Sequence, residues 1–447
     1  MNVSPTTVAV SGPGTMTWHR GEGAGEGVNA MGQPGDGDPV GPRGLLGVLG
    51  VSEFRWLWVA AAGSVLGDQV ARVALAVLVF DRTGSAGVTA AVYALTFLPA
   101  LAGAVLLSSL ADRWPRRRVV VLGDLLRGVL LLAMTAPGLP ISVLAALVVV
   151  VVLIGAPWAA AEAALVADVL PPQDYAAGVG LRAATVQAAQ LAGFAAGGVL
   201  VAQVGARSAL GVDAATFILS AVLLRVGVTA RPPARQHTHD THDTVHSGQG
   251  GWWHGTRQVL APPQIRSLLG FSWLLGLLVI PEGLAAPYAQ QVGAGPQGVG
   301  VLLTAGPAGV LLGTVAFTRI TPPPRRPQLL GPLATAAGAP LLVCALHPGL
   351  ILSAVPFAVS GMCTAYQVQV VTEFLTAIPE RVRGHGLGLA SAGLLAAQGM
   401  GLLLGGVTAQ LATPTTAVAT AGAATIAFAV LLNHHRTHRL HGGRHLG

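Results

Sequence analysis

Apolar residues in this chain come in long continuous runs. They show neither the alternation of a half-buried strand nor the narrow stripe of an amphipathic helix. A helix needs about 20 apolar residues to cross the hydrocarbon core of a bilayer, and with that ruler the chain yields twelve candidate spans. Six run over 54–80, 88–110, 119–135, 141–162, 180–204 and 208–228, and six over 267–291, 298–318, 329–346, 350–372, 387–411 and 415–432. The third and ninth are the shortest. Continuous runs predict helices, because a barrel would alternate. The expected fold class is an all-α membrane protein. Its expected parts are an unstructured tail (1–53), a six-helix bundle (54–228), a polar central loop (229–266), a second six-helix bundle (267–432) and a His/Arg-rich tail (433–447).

Composition supports the same solvent. Of the 447 residues, 52% are hydrophobic and only 10% charged, against about 25% charged in a soluble domain. A mean hydropathy of +0.65 leaves too little polar surface to coat the chain, which excludes a soluble enzyme, a fibrous protein and a disordered chain. The formal charge of +7 does not point to nucleic acid, because the basic residues sit between apolar runs, where topology signals sit. All are arginine, and the absence of lysine rules out a P-loop ATPase. The Gly, Ala and Arg bias suggests a GC-rich bacterial genome. With the N-terminus inside, short inside loops hold Arg113, Arg116, Arg117, Arg118, Arg319, Arg325, Arg326, Arg381 and Arg383, whereas short outside loops hold only Arg82 and Arg207. Both termini are therefore expected in the cytoplasm, in a multi-pass protein of the cell membrane. Cys344 and Cys363 lie inside apolar runs and read as small buried hydrophobes. The first 50 residues contain no apolar core with a cleavage site.

The chain repeats itself. At a shift of 208 residues, Pro171, Gly178, Gly180 and Leu181 fall on Pro379, Gly386, Gly388 and Leu389, and "AAQLAGFAAGGV" (Ala188–Val199) falls on "AAQGMGLLLGGV" (Ala396–Val407). A weaker echo pairs "AGAVLLSSLADR" (Ala102–Arg113) with "AGVLLGTVAFTR" (Ala308–Arg319). Each half is one copy of a six-span unit. Six is even, so both copies enter the membrane alike, as a parallel repeat. Gly193 with Gly197, and Gly401 with Gly405, are four apart, and Gly198 and Gly406 follow them. Such glycines let a neighbouring backbone come close. They form either a static seam or one that opens as the halves rock.

Twelve spans, a parallel repeat and a polar central loop resemble the major facilitator superfamily. So does "SSLADRWPRRR" (Ser108–Arg118), which is similar to the superfamily's loop signature between spans 2 and 3: Asp112, Arg113, Arg116 and Arg117 match, while Ser108 and Pro115 replace its glycines. "GDLLRG" (Gly123–Gly128), "FDRTGSA" (Phe80–Ala86), "VDAATFILSA" (Val212–Ala221) and "IPERVRGHGLG" (Ile378–Gly388) resemble the branch that includes macrolide-efflux and enterobactin-export proteins. The resemblance covers 54–432. It implies the major facilitator fold, alternating access, export of a small molecule and a cytoplasmic charge latch at the loop signature. Two departures weaken proton antiport by motif. Phe194 stands where the span-5 antiporter signature has proline, and span 4 carries only Glu162 instead of an arginine.

Charges in hydrocarbon cost at least a few kcal/mol each, so each needs a reason. Asp68 and Arg72 are four apart on span 1 and share a face, which predicts either an internal ion pair or a proton site held by the arginine. Asp124 and Arg127 on span 3 are expected to join the loop signature in the latch, with Asp112 either capping the following helix start or pairing to Arg116 or Arg117. Asp168, Asp174, Glu373 and Glu380 supply acids on the same side. Glu282 is the only charge of span 7 and has no partner on its own helix. It is a candidate substrate or coupling site beside the central cavity. Asp213 reads as a helix-end or gate residue. The histidines of 237–246 and 434–445 have metal-like spacings but define no fixed ligand set, so no metal and no cofactor are expected. The expected partners are a small hydrophobic or amphipathic substrate, the bilayer and, as candidate coupling ion, the proton. The protein is expected to be a monomer and not an enzyme. An importer, or a receptor or scaffold with the same fold, are the alternatives.

Overall fold

The computed structural model describes residues 44–106, 114–231 and 252–442. Every regular element among them is helical. Span 1 is Ser52–Thr83; span 2 is Ala86–Ala94 continued by Leu98–Leu106; spans 3 to 6 are Arg116–Met134, Ile141–Val169, Tyr175–Val204 and Ala206–Gly227. Span 7 is four short helices, Pro263–Trp273, Leu275–Leu278, Ile280–Gly283 and Ala285–Gln291. Span 8 is Pro296–Ile320, span 9 is Arg326–Gly338 with the 3-10 turn Pro340–Leu346, span 10 is Leu350–Cys363 with Tyr366–Ala377, span 11 is Arg383–Leu411 and span 12 is Pro414–Gly442. Eleven of these stretches are long and apolar enough to cross a membrane. The remaining one, Arg116–Met134, carries Arg116, Arg117, Arg118, Asp124 and Arg127 within 19 residues, so it is a span by position and not by apolarity alone.

The local sequence explains the breaks. Span 1 ends because Gly84 takes a left-handed conformation (φ 60°) and donates its N–H to the Phe80 carbonyl, the usual glycine stop. Ser85 then caps span 2 by accepting the Val88 N–H at 3.2 Å. Span 7 is interrupted because Pro281 and Pro287 each remove a backbone donor within it. Helices also extend beyond the apolar runs at several ends, since polar turns outside the hydrocarbon need no apolar face. The central segment, expected as a loop, contains a helix at Trp252–Leu260, and span 12 continues into the segment expected as a tail. Residues 44–51 are not extended either: the 3-10 turn Gly47–Gly50 buries Val48 against Phe54, Val166, Leu170 and Leu181.

Within the first half, span 1 packs on spans 5 and 6, and span 3 on spans 4 and 6. In the second half, span 8 packs on span 10, span 7 on span 11 and span 9 on span 12. The halves meet through spans 5 and 8 and through spans 2 and 11. Large apolar side chains on the outer faces are exposed, Leu126, Leu132, Leu219, Val222, Leu312 and Leu352 among them. Water would disfavour such a belt, and lipid accommodates it.

Candidate functional site

The repeat glycines sort by their neighbours. A Cβ built on Gly193 would lie 2.7 Å from the Leu66 carbonyl, and one on Gly197 would lie 3.1 Å from the Val70 Cα. Both therefore seat span 1 against span 5. The copies Gly401 and Gly405 seat span 7 against span 11, meeting Gly276 and Ile280. Gly198 and Gly406 face the other half. A Cβ on Gly198 would lie 2.7 Å from the Gly300 Cα of span 8, and one on Gly406 would lie 2.8 Å from the Ala90 Cβ of span 2. The same repeat thus supplies one glycine face for packing within a half and another for contact between halves. The second face is reinforced by Ser85, whose hydroxyl donates to Gln410 Oε1 at 3.0 Å, and by the Gly87 N–H, which donates to the same oxygen at 3.3 Å.

The charged residues divide into two groups. The first crosses the halves. Arg72 lies beside Tyr93 and in the field of Glu282, and the Tyr93 hydroxyl donates to Glu282 Oε2 at 3.4 Å. The Arg72 guanidinium also sits over the Phe97 ring, 5.3 Å from its centre. Glu282 has no partner on its own helix, but it has two on the opposite half. Tyr93 was not among the sequence candidates. Only its burial between spans 2 and 7 selects it.

The second group lies inside the first half. Asp68 does not take Arg72 as its ion-pair partner. It accepts from Arg127 Nη2 on span 3, at 3.2 and 3.3 Å to its two oxygens. Sharing a helix face is not enough to pair two residues, because Arg72 turns to span 2 while Asp68 faces span 3. Arg127 is further held over the Phe217 ring, 4.1 Å from its centre. Asp213, expected near a helix end, is fully buried in the field of Asp68 and Arg127 and accepts from the Thr216 hydroxyl at 3.2 Å. Asp124 is fully buried as well and accepts from Ser220 at 2.6 Å. Among the described residues, Asp124 and Arg127 therefore bind spans 6 and 1.

At the arginine-rich end, Arg116 pairs with Asp168 at the end of span 4 at 2.6 Å and also donates to the Ala164 carbonyl. Arg117 donates to the carbonyl of Arg225. Asp112 and Arg113 lie outside the described residues, as do the histidines at 237–246 and His445. Glu162 of span 4 pairs with Arg182 of span 5, and Glu373 of span 10 pairs with Arg436 of span 12 at 2.9 Å.

Two cavities flank these groups. One, of about 440 Å³, opens between span 5 and the second half; Glu282 lines it together with Gln187, Gln190, Gln398 and Gln367. The rest of its wall is mostly apolar, with Leu278, Leu302 and Phe357. The volume suits a small molecule, and a few convergent polar groups on an apolar wall are the ordinary make-up of a ligand site. Gln190 and Gln398 are the paired glutamines of the repeat. Their recurrence marked them in the sequence, yet it did not say that they face a cavity. The other cavity, of about 460 Å³, lies within the first half and is lined by Asp68, Arg72, Arg127 and Asp213.

No curated protein matches the chain at the level of sequence. Solved structures do match its fold. A bacterial homologue of the human lysosomal transporter Spinster, inward-facing and unoccupied, shares 16% identity and a TM-score of 0.61 over 86% of this chain and 96% of its own. The POT family transporter PepTSo shares 11% identity and a TM-score of 0.69 over 87% and 99%. A POT family transporter in complex with 5-aminolevulinic acid shares 10% identity and a TM-score of 0.66 over 85% and 95%. These identities speak for the fold alone. The family profile of the Major Facilitator Superfamily matches residues 57–372, more than two thirds of the chain and spanning parts of both repeats. A multi-pass helical protein, doubled in sequence and joined through spans 2, 5, 8 and 11, belongs to the Major Facilitator Superfamily.

Proposed function

We propose that the protein is a secondary active transporter that exports a small hydrophobic or amphipathic molecule by alternating access, with protons as the coupling ion. The observation that carries this reading is the position of Glu282. It lines the cavity of the second half and is also hydrogen-bonded to Tyr93 of the first. A ligand or proton that changes Glu282 therefore changes a link between the halves. Protonation removes the charge that Arg72 attracts, and the crossing weakens. The contacts of Gly198 with Gly300 and of Gly406 with Ala90 belong, in this reading, to a state closed at the outer end. Both termini and the central segment then face the cytoplasm of a bacterial cell, as the arginine distribution supports. Export, rather than import, rests on the resemblance of the 80–86, 123–128, 212–221 and 378–388 motifs to the macrolide-efflux and enterobactin-export branch.

The test is reconstitution into inverted vesicles with an imposed proton gradient and a set of fluorescent amphipathic probes. Gradient-driven accumulation by the wild type, lost in Glu282→Gln with probe binding retained, is the expected result. Accumulation that Glu282→Gln leaves unchanged would mean that coupling lies elsewhere. Transport only in the opposite direction would make the protein an importer.

A further inference from the structure

We propose that a specific anionic phospholipid binds in the groove between the arginine-rich ends of spans 3 and 6, its phosphate held by Arg118 and Arg225 and its acyl chains laid on the outer faces of those helices. The groove, of about 560 Å³, is lined by Arg117, Arg118, Arg225 and Arg231, with Val121 and Leu122 on its wall. Two of the four arginines are already engaged. Arg231 is paired with Glu53 at 2.8 Å, and Glu53 also accepts from Thr229. Arg117 is turned to the Arg225 carbonyl at the end of span 6. Those bonds hold the two helix ends together and fix the width of the groove. Arg118 and Arg225 are left exposed and form no ion pair with any described residue. Among the described residues, four guanidinium groups against one carboxylate leave an excess of positive charge at the edge of the hydrocarbon, where screening by water is weaker than in bulk.

The surroundings select a lipid over a free anion. Leu122, Leu125, Leu126 and Val129 of span 3 and Leu219, Val222 and Val226 of span 6 are exposed and run away from the groove along the bundle's outer surface. Val226, next to Arg225, is 77% exposed. An inorganic phosphate would satisfy the arginines but leave this apolar wall uncovered. A phosphodiester headgroup with two acyl chains covers both. Basic pockets between spans are the recognised chemistry for anionic headgroups. The proposal does not depend on what the protein transports or in which direction.

The test uses the full-length protein, delipidated in detergent and followed by thermal melting during titration with phosphatidylglycerol, phosphatidylcholine or inorganic phosphate. Phosphatidylglycerol is expected to raise the melting temperature saturably, with neither phosphatidylcholine nor inorganic phosphate reproducing it. Arg118→Gln combined with Arg225→Gln should weaken the apparent affinity about thirtyfold, the size expected for two basic residues at a lipid surface. Arg319→Gln, an exposed arginine of span 8, should leave it unchanged. The proposal is overturned if the double variant titrates like the wild type, if Arg319→Gln loses as much, or if inorganic phosphate or phosphatidylcholine saturates the effect. A second measurement needs no variant. Phospholipid retained by the purified wild type should be enriched in anionic classes over the membrane it came from, and retention in membrane proportions counts against a specific site.

Discussion

Gly198 and Gly300 meet backbone to backbone across the two halves of the molecule: a Cβ on either would lie 2.7 Å from the Cα of the other. Gly193, five residues earlier on the same helix, meets span 1 of its own half instead. A side chain at the two positions should therefore do different things. Gly193→Leu overpacks a seam within one half, at about 1–3 kcal/mol, and should lower the melting temperature. Gly198→Leu should instead push the halves apart and raise the labelling of cysteines near Ser85 and Gln410. Equal losses of stability in both variants, with labelling unchanged, would show that the crossing glycines are static.

Tyr93→Phe keeps the ring and removes the hydroxyl that donates to Glu282. A hydrogen bond of this kind contributes about 0.5–1.5 kcal/mol, so the balance between conformations should shift by roughly two- to tenfold. Inter-half distances measured by spin labels on spans 2 and 11 would report the shift. A distribution identical to that of the wild type would place this bond outside the conformational equilibrium.

Arg127 should be the most damaging single charge to remove from the first half. Arg127→Gln leaves Asp68 without its ion-pair partner and Asp213 without the cation in whose field it lies; because Asp68 is half-exposed, the loss should fall below the about 3–5 kcal/mol of a fully buried pair. Asp68→Asn combined with Arg127→Gln should be less destabilised than the sum of the two single variants. Thermal melts of the three proteins complete the cycle, and strict additivity would show that the pair contributes nothing to folding.

The arginine distribution predicts sidedness. In a background lacking Cys344 and Cys363, Arg207→Cys should react with a membrane-impermeant maleimide in intact cells, and Arg319→Cys only after permeabilisation. Both side chains are exposed, so access to reagent is decided by the membrane. Labelling of Arg319→Cys in intact cells would invert the topology.

Much of this protein was legible before any coordinates. The length of each apolar run sets a helix, because the hydrocarbon core demands internally bonded backbone over a fixed thickness. The 208-residue repeat sets the doubling, and one contact recurs in it: Gly178 packs on Leu170, and Gly386 on the equivalent Ile378. The glycines and the unpartnered Glu282 stood out for the same reason, since lipid makes every small or charged residue conspicuous. What the linear chain did not decide is which partner each residue takes. A helix offers several faces, and spacing fixes only which residues share one. Asp68 and Arg72 share a face of span 1, yet one reaches Arg127 on span 3 and the other Tyr93 on span 2. Gly193 and Gly198 lie in one motif, yet one seats a helix within its half and the other touches the opposite half. Those choices depend on the order and tilt of helices around the bundle, a property of the packed whole that local periodicity does not encode.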